Sequence, residues 1–413
     1  MPLFQMQINF LLGEAVLMEK NILKQYQVIK RNGKAEDLMI GKIMECLQRV
    51  CKEVGLAISA NLILDEVLKN LFDKIKSYEV LDILILSTAM LTERDPAYSK
   101  AAAHFLLQKI YKEVNGESVE EATLDRLYRQ AFVVGIEKGI QAGHFDPRLA
   151  DFDLYALSKA LVVQRDQEFE YLGLQTLHDR YLTKINDEKR RLLIETPQAF
   201  WMRVAMGLAL NESDKTARAI EFYNLVSQLL FVPSTPTLLH SGLTRPQLSS
   251  CFLSTVNDDL HHIFKCMGDN ANMSKWSGGV ATDWTNLRAT GAMIKSIKVE
   301  SQGLIPFLKI ANDVTAAINR SGRRRSAAVS YVEVWHYDYE DFIDIRRNTG
   351  DERRRAHDMN FVSWIPDLFM KRVQNDLNWT FFFLDEVSDL HHIYGKKFEE
   401  RYCEYEAQAC EGK

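Results

Sequence analysis

The stretch LSSCFL, residues 248–253, contains the side chain whose type and setting most clearly call for a chemical explanation. Cys251 follows two serines and has apolar residues beyond it, in a chain of 413 residues with only six cysteines. An isolated cysteine is most simply a small hydrophobic residue in a buried strand or turn. A reactive thiol is the alternative interpretation, and the surrounding sequence has to decide between the two.

An arginine-rich stretch, NRSGRRRS at residues 319–326, could bind phosphate. It joins a predicted helix to a predicted strand, and its glycine allows a ligand to approach the backbone closely. The fork of an arginine guanidinium matches phosphate oxygens in pairs. A nucleotide-phosphate loop and a solvated charged loop are equally favoured by composition alone.

Two further segments could contact a ligand, although each signal is weak alone. Gly278 and Gly279, in SKWSGGVATDWTNLRATG, could leave backbone N–H groups open to an anion, but paired glycines are also common in turns. Thr235 lies between two prolines in FVPSTPTLLHSG, so rigid backbone holds its hydroxyl. Most threonines in such places only satisfy the turn.

The spacing of histidine and cysteine does not indicate a metal site or a disulfide framework. The histidine pairs 261–262 and 391–392 are adjacent in sequence, so their side chains diverge on a helix. Cys403 and Cys410 lie about 10.5 Å apart along a helix axis, too far for a disulfide. We therefore expect no metal ion, and no cofactor bound by the chain's own ligands.

Composition indicates an ordinary globular protein with roughly two to four domains. Hydrophobic residues make up 46% of the chain, and the formal net charge is only -5. Such a small charge gives no overall field that would attract nucleic acid or an anionic membrane. The chain has no basic signal region and no apolar stretch of about 18 residues, so we predict a cytoplasmic protein without a membrane span.

The first domain is predicted over residues 25–115, as a hairpin followed by four helices. YQVIKRNGKAED, residues 26–37, contains Asn-Gly, a dipeptide typical of tight hairpin turns. Two helical faces follow, formed by Ile43, Leu47, Val50 and Val54 and by Leu64, Leu68, Leu71 and Ile75. Segments 79–92 and 97–114 are predicted as the third and fourth helices.

The remainder of the chain divides into a helical part and an α/β part. The polar stretch NGESVEEATL predicts a linker, and residues 116–230 are predicted almost entirely helical, with an interruption at 142–153. Residues 231–413 alternate helices with apolar strands. The strands are predicted at 327–335, 359–365 and 379–384, which indicates an α/β sheet or barrel buried on both faces.

A series of motifs, taken in order, resembles the large catalytic subunit of ribonucleotide reductase, most closely that of the class I enzymes. The motifs are STPTLLHSGLTRPQLSSCFL, SGG, LRATG, IPFLKIANDVTAAINRSGRRRSAA, EVWH, RRNTG and WIPDLFMKRV. The N-terminal hairpin with four helices is similar to the ATP-cone of that subunit. The resemblance covers roughly residues 25–413 and implies that the α/β part is the first portion of a ten-stranded barrel.

The resemblance implies a redox role for Cys251. In this family the matching cysteine belongs to a pair that delivers two electrons to the ribose and becomes a disulfide in each turnover. Cys251 would then donate a proton at the 2' face of a ribonucleoside diphosphate. Thr235, Ser250 and the backbone of Gly278 and Gly279 would hold the substrate beside it.

The resemblance also implies regulation by nucleotides. Asp258 matches the acidic residue that contacts the specificity effector, and Arg288 matches the arginine near the effector's phosphates. Segment 318–325 corresponds to the loop that relays effector identity, and Arg324 to its arginine that reaches the substrate. The positions that match the nucleotide side of the ATP-cone are Lys30, Arg31, Glu36, Lys42, Ser77 and Lys112.

The resemblance implies several partners. These are ATP and dNTP effectors, a radical-generating small subunit with a di-metal centre (adenosylcobalamin being the less favoured radical source), thioredoxin or glutaredoxin as reductant, and a second copy of the chain in a homodimer.

The chain departs from the family pattern at several points. The catalytic finger loop, the second redox cysteine and the cysteine-bearing tail have no match, so we predict the N-terminal part of a longer subunit, inactive alone. Leu81 replaces a histidine that often contacts nucleotide, and Gln108 replaces an aromatic residue, which favours a weakened cone. Ala281 replaces a glycine after the Gly278–Gly279 pair.

Two other functions compete with the reductase. A nucleotide-sensing and dimerising module without catalytic competence is favoured by the missing finger loop. Nucleic-acid binding is the weakest hypothesis, because the acidic stretches YDYEDFID and DER interrupt its basic residues. Those residues are Arg320, Arg323, Arg324, Arg325, Arg346, Arg347, Arg353, Arg354 and Arg355.

Overall fold

The computed structural model describes residues 26–30, 33–54, 58–116, 120–187, 190–276, 278–294, 296–318 and 327–411. The chain forms two compact units. The first runs to Pro233 and includes Leu238–Pro246, and the second contains Ser234–Thr237 and everything from Gln247 onward.

The first unit begins with the predicted hairpin and four helices. Strand β1 (Gln27–Ile29) pairs antiparallel with β2 (Ala35–Asp37) and parallel with β3 (Ile75–Lys76). Gly33 has a φ of 80°, which the turn between β1 and β2 requires and which glycine adopts without strain. The helices are α1 (Ile40–Val54), α2 (Ala60–Leu68), α3 (Ser77–Met90) and α4 (Ala97–Asn115).

One helical face was predicted too long. The apolar spacing placed Leu71 and Ile75 on the same helix as Leu64, but α2 ends at Leu68. Lys74 then has a φ of 60°, and Ile75 pairs with Val28 in the three-stranded sheet. Leu71 and Ile75 are nevertheless buried in the same core. Their burial was therefore predicted correctly, but their helical conformation was not.

The rest of the first unit is mainly helical. Its helices are α5 (Glu121–Gln141), α6 (Leu154–Ala160), α7 (Tyr171–Thr176), α8 (Pro197–Ala209) and α9 (Lys215–Ser227), joined in part by short 3-10 turns. The carboxylates of Asp153 and Asp214 cap α6 and α9 by accepting hydrogen bonds from backbone N–H groups. Two strands that the sequence analysis missed, β4 (Lys184–Asp187) and β5 (Arg190–Leu193), form an antiparallel pair.

The second unit is built on a parallel sheet of order β11-β10-β7-β6. Its strands are β6 (Cys251–Thr255), β7 (Gly279–Asp283), β10 (Ala328–Glu333) and β11 (Asn360–Trp364), and a separate antiparallel hairpin is formed by β8 (Thr290–Ile294) and β9 (Val299–Gln302). Its helices are α11 (Leu260–Lys275), α12 (Ile305–Ile318), α13 (Tyr339–Asp344), α14 (Asp367–Gln374) and α15 (Gly395–Cys410), preceded by the short α10 (Thr235–His240), of which only Thr235–Thr237 belong to this unit.

The two faces of this sheet differ among the described residues. Val280 and Val332 lie in one core with Ile263 of α11 and Leu308 of α12, so these helices cover one face. On the other face Leu253 is 82% exposed and Trp364 is 60% exposed. The expectation of a sheet buried on both faces therefore holds for one face of the described part.

The predicted strand at 379–384 is not a strand. Phe382 makes only an isolated bridge with His336. Trp379 and Phe382 instead pack against α15, where the rings of Trp379 and Tyr402 stack with their centroids 4.3 Å apart. The Phe383 ring stacks on Tyr337, and the Phe381 ring lies near Tyr339. Aromatic content predicted burial here, but it could not distinguish a sheet ladder from a ring cluster.

Candidate active site and effector site

Cys251 is the first residue of β6 and lies at the amino edge of the sheet. It is exposed, and its register partner is Gly279, the first residue of β7. Alternate residues of a strand point to opposite faces, so Cys251 shares its face with the exposed Leu253, while Phe252 packs against the core under the helices. The Ser250 hydroxyl donates to the Cys251 Sγ at 3.7 Å. The buried-hydrophobe interpretation of this cysteine is therefore wrong.

Glycine occurs at the neighbouring positions 278 and 279 for different structural reasons. A Cβ placed on Gly278 would lie 2.6 Å from the Phe252 ring and 3.1 Å from the Met273 carbonyl oxygen, so packing requires glycine there. A Cβ on Gly279 would lie at ordinary contact distance, 3.4 Å from the Ser250 backbone oxygen and 4.0 Å from the Cys251 Sγ. Glycine at 279 therefore keeps a side chain away from the thiol, although the backbone alone would tolerate a Cβ.

Thr235 belongs to the same unit as Cys251 and begins the short helix α10. Two residues later, the Thr237 hydroxyl donates to the backbone oxygen of Leu248 at 2.9 Å. That bond connects α10 to the segment that leads into β6. Thr235, Ser250, Cys251 and Gly279 are thus all carried by elements at or next to the amino edge of the sheet.

Asp258 and Arg288 form an ion pair beyond the carboxyl ends of β6 and β7. The Arg288 Nε lies 3.0 and 2.8 Å from the two Asp258 carboxylate oxygens, and the hydrogen bond to this carboxylate raises the pKa of Arg288. Of the guanidinium nitrogens only Nε takes part in this pair, and the Arg288 backbone N–H also donates to the Asp258 Oδ1, at 3.5 Å. Within the described residues the terminal Nη atoms of Arg288 donate no hydrogen bond, so the end of the guanidinium fork can take another anion.

His336 and Asp338 hold the segment that carries Arg288. The Asp338 carboxylate accepts hydrogen bonds from the backbone N–H groups of Thr290 and Leu304, at the two ends of the β8–β9 hairpin. His336 Nδ1 accepts from the Asp338 N–H, so its Nε2 donates to the Leu287 carbonyl oxygen at 2.8 Å. Burial lowers the pKa of His336, which agrees with this neutral form.

The two groups of candidate residues therefore lie at opposite edges of one sheet. Cys251 and Gly279 begin their strands, whereas Asp258 and Arg288 follow the ends of the same strands. Arg324, the residue expected to connect effector and substrate, falls in 319–326 and lies outside the described residues.

Most of the predicted cone positions gather at one end of the N-terminal fold. Lys30 pairs with Glu36 at 3.3 Å, and the pairing of Ile29 with Lys76 makes Lys30 and Ser77 the next residues along β1 and β3. Lys109 Nζ lies 2.7 Å from the Asp82 carboxylate and aligns α4 with α3. Lys112, one turn further along α4, therefore lies toward the start of α3. Lys42 is in the first turn of α1, and Arg31 lies outside the described residues.

The residues that depart from the cone pattern are half-buried. Leu81 packs against the core of the first unit, and Gln108 is intermediate in exposure on α4. Neither offers the ring that the family pattern has at these positions.

An ionic cluster at the carboxyl edge of the sheet was not predicted from the sequence. His391 lies between two carboxylates, with Nδ1 2.6 Å from Glu333 and Nε2 3.0 Å from Asp283. Hydrogen bonds to Asp283 and Glu333 raise the pKa of His391 to about 10. Asp283 and Glu333 are each the last residue of an apolar strand. Because parallel strands end at the same edge of a sheet, the sequence could have predicted that these two carboxylates lie close together. Nothing in the sequence placed His391 with them.

Two kinds of feature are absent from the part of the chain that the structure describes: a metal-binding cluster and a membrane-spanning helix. There, no three His, Cys, Asp or Glu residues converge in a way that could hold a metal ion. No described helix is both long enough and apolar enough to span a bilayer.

Comparison with known families accounts for most of the chain. Residues 26–113 match the ATP cone domain, residues 167–246 match the ribonucleotide reductase all-alpha domain, and residues 249–413 match the ribonucleotide reductase barrel domain. A helical first half with a parallel sheet in the second half is the architecture that these three families describe together.

Curated relatives agree with these matches. The chain is 46% identical over 388 residues to the ribonucleoside-diphosphate reductase subunit alpha of Chlamydia muridarum, covering 94% of the chain and 37% of that protein. Identity is 39% to the subunit alpha of Helicobacter pylori strain J99 and 33% to the large subunit of Danio rerio, each covering 92% of the chain and 47% of the relative. The chain belongs to the ribonucleotide reductase large-subunit family, and it spans less than half the length of these relatives.

Proposed function

We propose that this chain contributes the redox thiol and the nucleotide-sensing sites of a ribonucleoside-diphosphate reductase. The reaction reduces the ribose 2' carbon of a ribonucleoside diphosphate, releases the 2' hydroxyl as water, and oxidises two thiols to a disulfide. Cys251 is one of those thiols. The observation that carries the proposal is the exposed Cys251 at the amino edge of the sheet, beside Gly279, where any side chain would come within 4.0 Å of the thiol sulfur.

Within this reaction the residues of the chain have separate tasks. Cys251 holds at Sγ the proton that it donates at the 2' face, and the Ser250 hydroxyl, 3.7 Å away, orients the thiol. Thr235 and the backbone of Gly278 and Gly279 bind the substrate, and Arg324 reaches it from segment 318–325. The radical comes from a di-metal partner subunit, and thioredoxin or glutaredoxin reduces the disulfide in the cytoplasm.

The regulatory tasks fall on two other sites. Asp258 and Arg288 bind the dNTP specificity effector, with the free Nη atoms of Arg288 directed to its phosphates. The cone residues Lys30, Arg31, Glu36, Lys42, Ser77 and Lys112 bind ATP or dATP, weakly because Leu81 and Gln108 supply no ring. A homodimer completes the effector site. We propose domain limits of 25–115, 116–230 and 231–413, since α4 ends at Asn115 and the first unit's main segment ends at Pro233.

Substitution of Cys251 in the complete large subunit tests the catalytic part of the proposal. We expect Cys251→Ser to lower deoxynucleoside diphosphate formation by at least about 1,000-fold when the partner subunit is present, because serine cannot enter a disulfide. Binding of dTTP should remain. The matched control is Cys403→Ser, which changes another exposed thiol and should keep full activity. Near-normal turnover by Cys251→Ser contradicts the proposal.

Calorimetric titration with dTTP tests the effector site separately. We expect Asp258→Ala to abolish dTTP binding, because it removes both a ligand contact and the carboxylate that orients Arg288. Asp269→Ala is the control, since Asp269 is an exposed carboxylate that pairs with Lys265 on α11. Equal loss in both variants, or no binding of dTTP to the unsubstituted protein, would refute the effector assignment without affecting the Cys251 test.

A further inference from the structure

A small cavity lies between the parallel sheet and the helices α11 and α12. The space in which the centre of a water molecule can move is about 20 Å³, and Asn270, Thr282, Trp284 and Ser330 are among the residues that line it. A buried water needs a space of at least about 10–15 Å³ by this measure, together with two to four polar partners. The cavity therefore has the size of a site for one water molecule.

Among the described residues, two polar atoms of the cavity-lining side chains are buried without a hydrogen-bond partner. They are the Trp284 Nε1, which is a donor, and the Asn270 Oδ1, which is an acceptor. Trp284 as a whole is only 1% exposed. A buried polar group without a partner costs free energy, and native proteins satisfy nearly all such groups directly or through ordered water. A donor and an acceptor on residues that line the same small cavity can both be satisfied by one ligand that accepts and donates.

The orientation of Asn270 follows from its other bond. Its Nδ2 donates to the Thr282 Oγ1 at 2.8 Å, so the amide nitrogen is used and the amide oxygen is left over. Thr282 Oγ1 also shares a hydrogen bond with the Ser254 hydroxyl at 3.1 Å. These bonds connect β6, β7 and α11, but neither of them includes Trp284.

We propose that this cavity binds one ordered water molecule, which accepts a hydrogen bond from the Trp284 Nε1 and donates one to the Asn270 Oδ1. The hydroxyl of Ser330, whose residue is 1% exposed, supplies a third polar group on the same cavity. With the water in place, a continuous hydrogen-bonded path runs from Ser254 through Thr282 and Asn270 to Trp284. The ligand class is water, and the site does not depend on the proposed reductase activity.

The site has a further consequence for the elements around it. Ile318, the last residue of α12, and Ala328, the first residue of β10, both line the cavity. Arg324 lies between them in sequence. The proposed water therefore lies in the same cavity as the two residues that flank the proposed substrate-contacting segment in sequence.

A crystal structure that resolves ordered water tests the proposal directly. We expect a density peak about 2.7–3.2 Å from both Trp284 Nε1 and Asn270 Oδ1. An empty cavity overturns the proposal, and so does a direct hydrogen bond between the two side chains. Xenon pressurisation gives an independent check, because an apolar dry cavity takes up xenon and a cavity filled by water does not.

Two tryptophan variants show whether Trp284 holds the water. Trp284→Phe removes the donor, and we expect the peak to be lost or displaced and the melting temperature to fall by about 2–8 °C. The control is Trp201→Phe, because the Trp201 Nε1 is also buried without a partner but that residue does not line the cavity. The peak should be unchanged in the control. An undisplaced peak at full occupancy in Trp284→Phe contradicts the assignment.

Discussion

Asp166 in the first unit and His391 in the second are both ionisable groups away from bulk water, but their partners are of opposite kinds. Asp166 is 0% exposed and accepts three hydrogen bonds of 2.8 Å, from the hydroxyls of Tyr111 and Tyr128 and from Gln198 Nε2. All three donors are neutral. His391 instead lies between the carboxylates of Asp283 and Glu333.

The two pKa values show that hydrogen bonds from neutral donors stabilise a buried charge less than opposite charges do. Burial raises the pKa of Asp166 to about 6, although the bonds from Gln198, Tyr111 and Tyr128 act in the opposite direction. The two carboxylates beside His391 raise its pKa to about 10 despite partial burial. Three neutral donors therefore do not compensate for desolvation, whereas two opposite charges more than compensate for it.

Among the substitutions that test this comparison, removal of His391 should cause the largest loss of stability. We expect His391→Gln to lower the free energy of unfolding at pH 7 by about 3–4 kcal/mol, because Asp283 and Glu333 would face each other without a cation. Urea unfolding measures the loss. His392→Gln is the matched control, since His392 is exposed and adjacent, and it should change stability by less than about 0.5 kcal/mol.

The pH dependence of the same cluster has a definite sign. The folded pKa of His391, about 10, lies above the unfolded value of about 6.5. The stabilisation is therefore fully present below about pH 6.5 and is lost as the pH rises toward 10. NMR titration of the His391 ring should give a midpoint near 10, and a midpoint near 6.5 would show that the ion pairs do not form.

Substitution of Asp166 tests the other side of the comparison. Its folded pKa of about 6 lies above the unfolded value of about 3.9, so the protein loses stability as the pH rises from 4 to 6. We expect Asp166→Asn to remove this slope, so that the variant gains about 2–3 kcal/mol relative to wild type between pH 4 and pH 7. Unfolding curves at both pH values measure the difference, and a constant difference would contradict it.

Tyr111→Phe tests the contribution of one neutral donor and should cause the smallest loss of stability. It removes one donor from Asp166, so we expect a loss of about 1–2 kcal/mol at pH 7 and a further rise in the pKa of Asp166. Tyr98→Phe is the control from the same helix, because the Tyr98 hydroxyl accepts a neutral bond from the Ser59 N–H at 3.1 Å. The control should lose stability equally at pH 5 and pH 7, whereas Tyr111→Phe should lose less at pH 5.

The sequence predicted those parts of the fold that local pattern determines. The N-terminal hairpin, α1, α3, α4, α12, β10 and β11 follow from turn dipeptides and apolar spacing. The pair β4–β5 was missed because KIND and RRLL carry charged residues and no regular alternation. The stretch 379–384 was overpredicted because an apolar run alone does not show which strand it would pair with.

The candidate sites were predictable to a different extent. Resemblance singled out both Asp258 and Arg288, but their ion pair joins residues 30 apart, which periodicity cannot reveal. The bond between His391 and Glu333 joins residues 58 apart and depends on tertiary packing. Local sequence thus indicated which residues could do chemistry, and the sheet decided which of them meet.

The register of β6 has a consequence for changes in chain length. Cys251 and Leu253 face away from α11 and α12, and Phe252 packs beneath them. A deletion of one residue within the strand would exchange the two faces, turning the thiol toward the helices and the Phe252 ring toward solvent. Insertions and deletions in β6 should therefore be tolerated less than substitutions. The number of residues between the serines and Asp258 should be the most strongly constrained property of this segment.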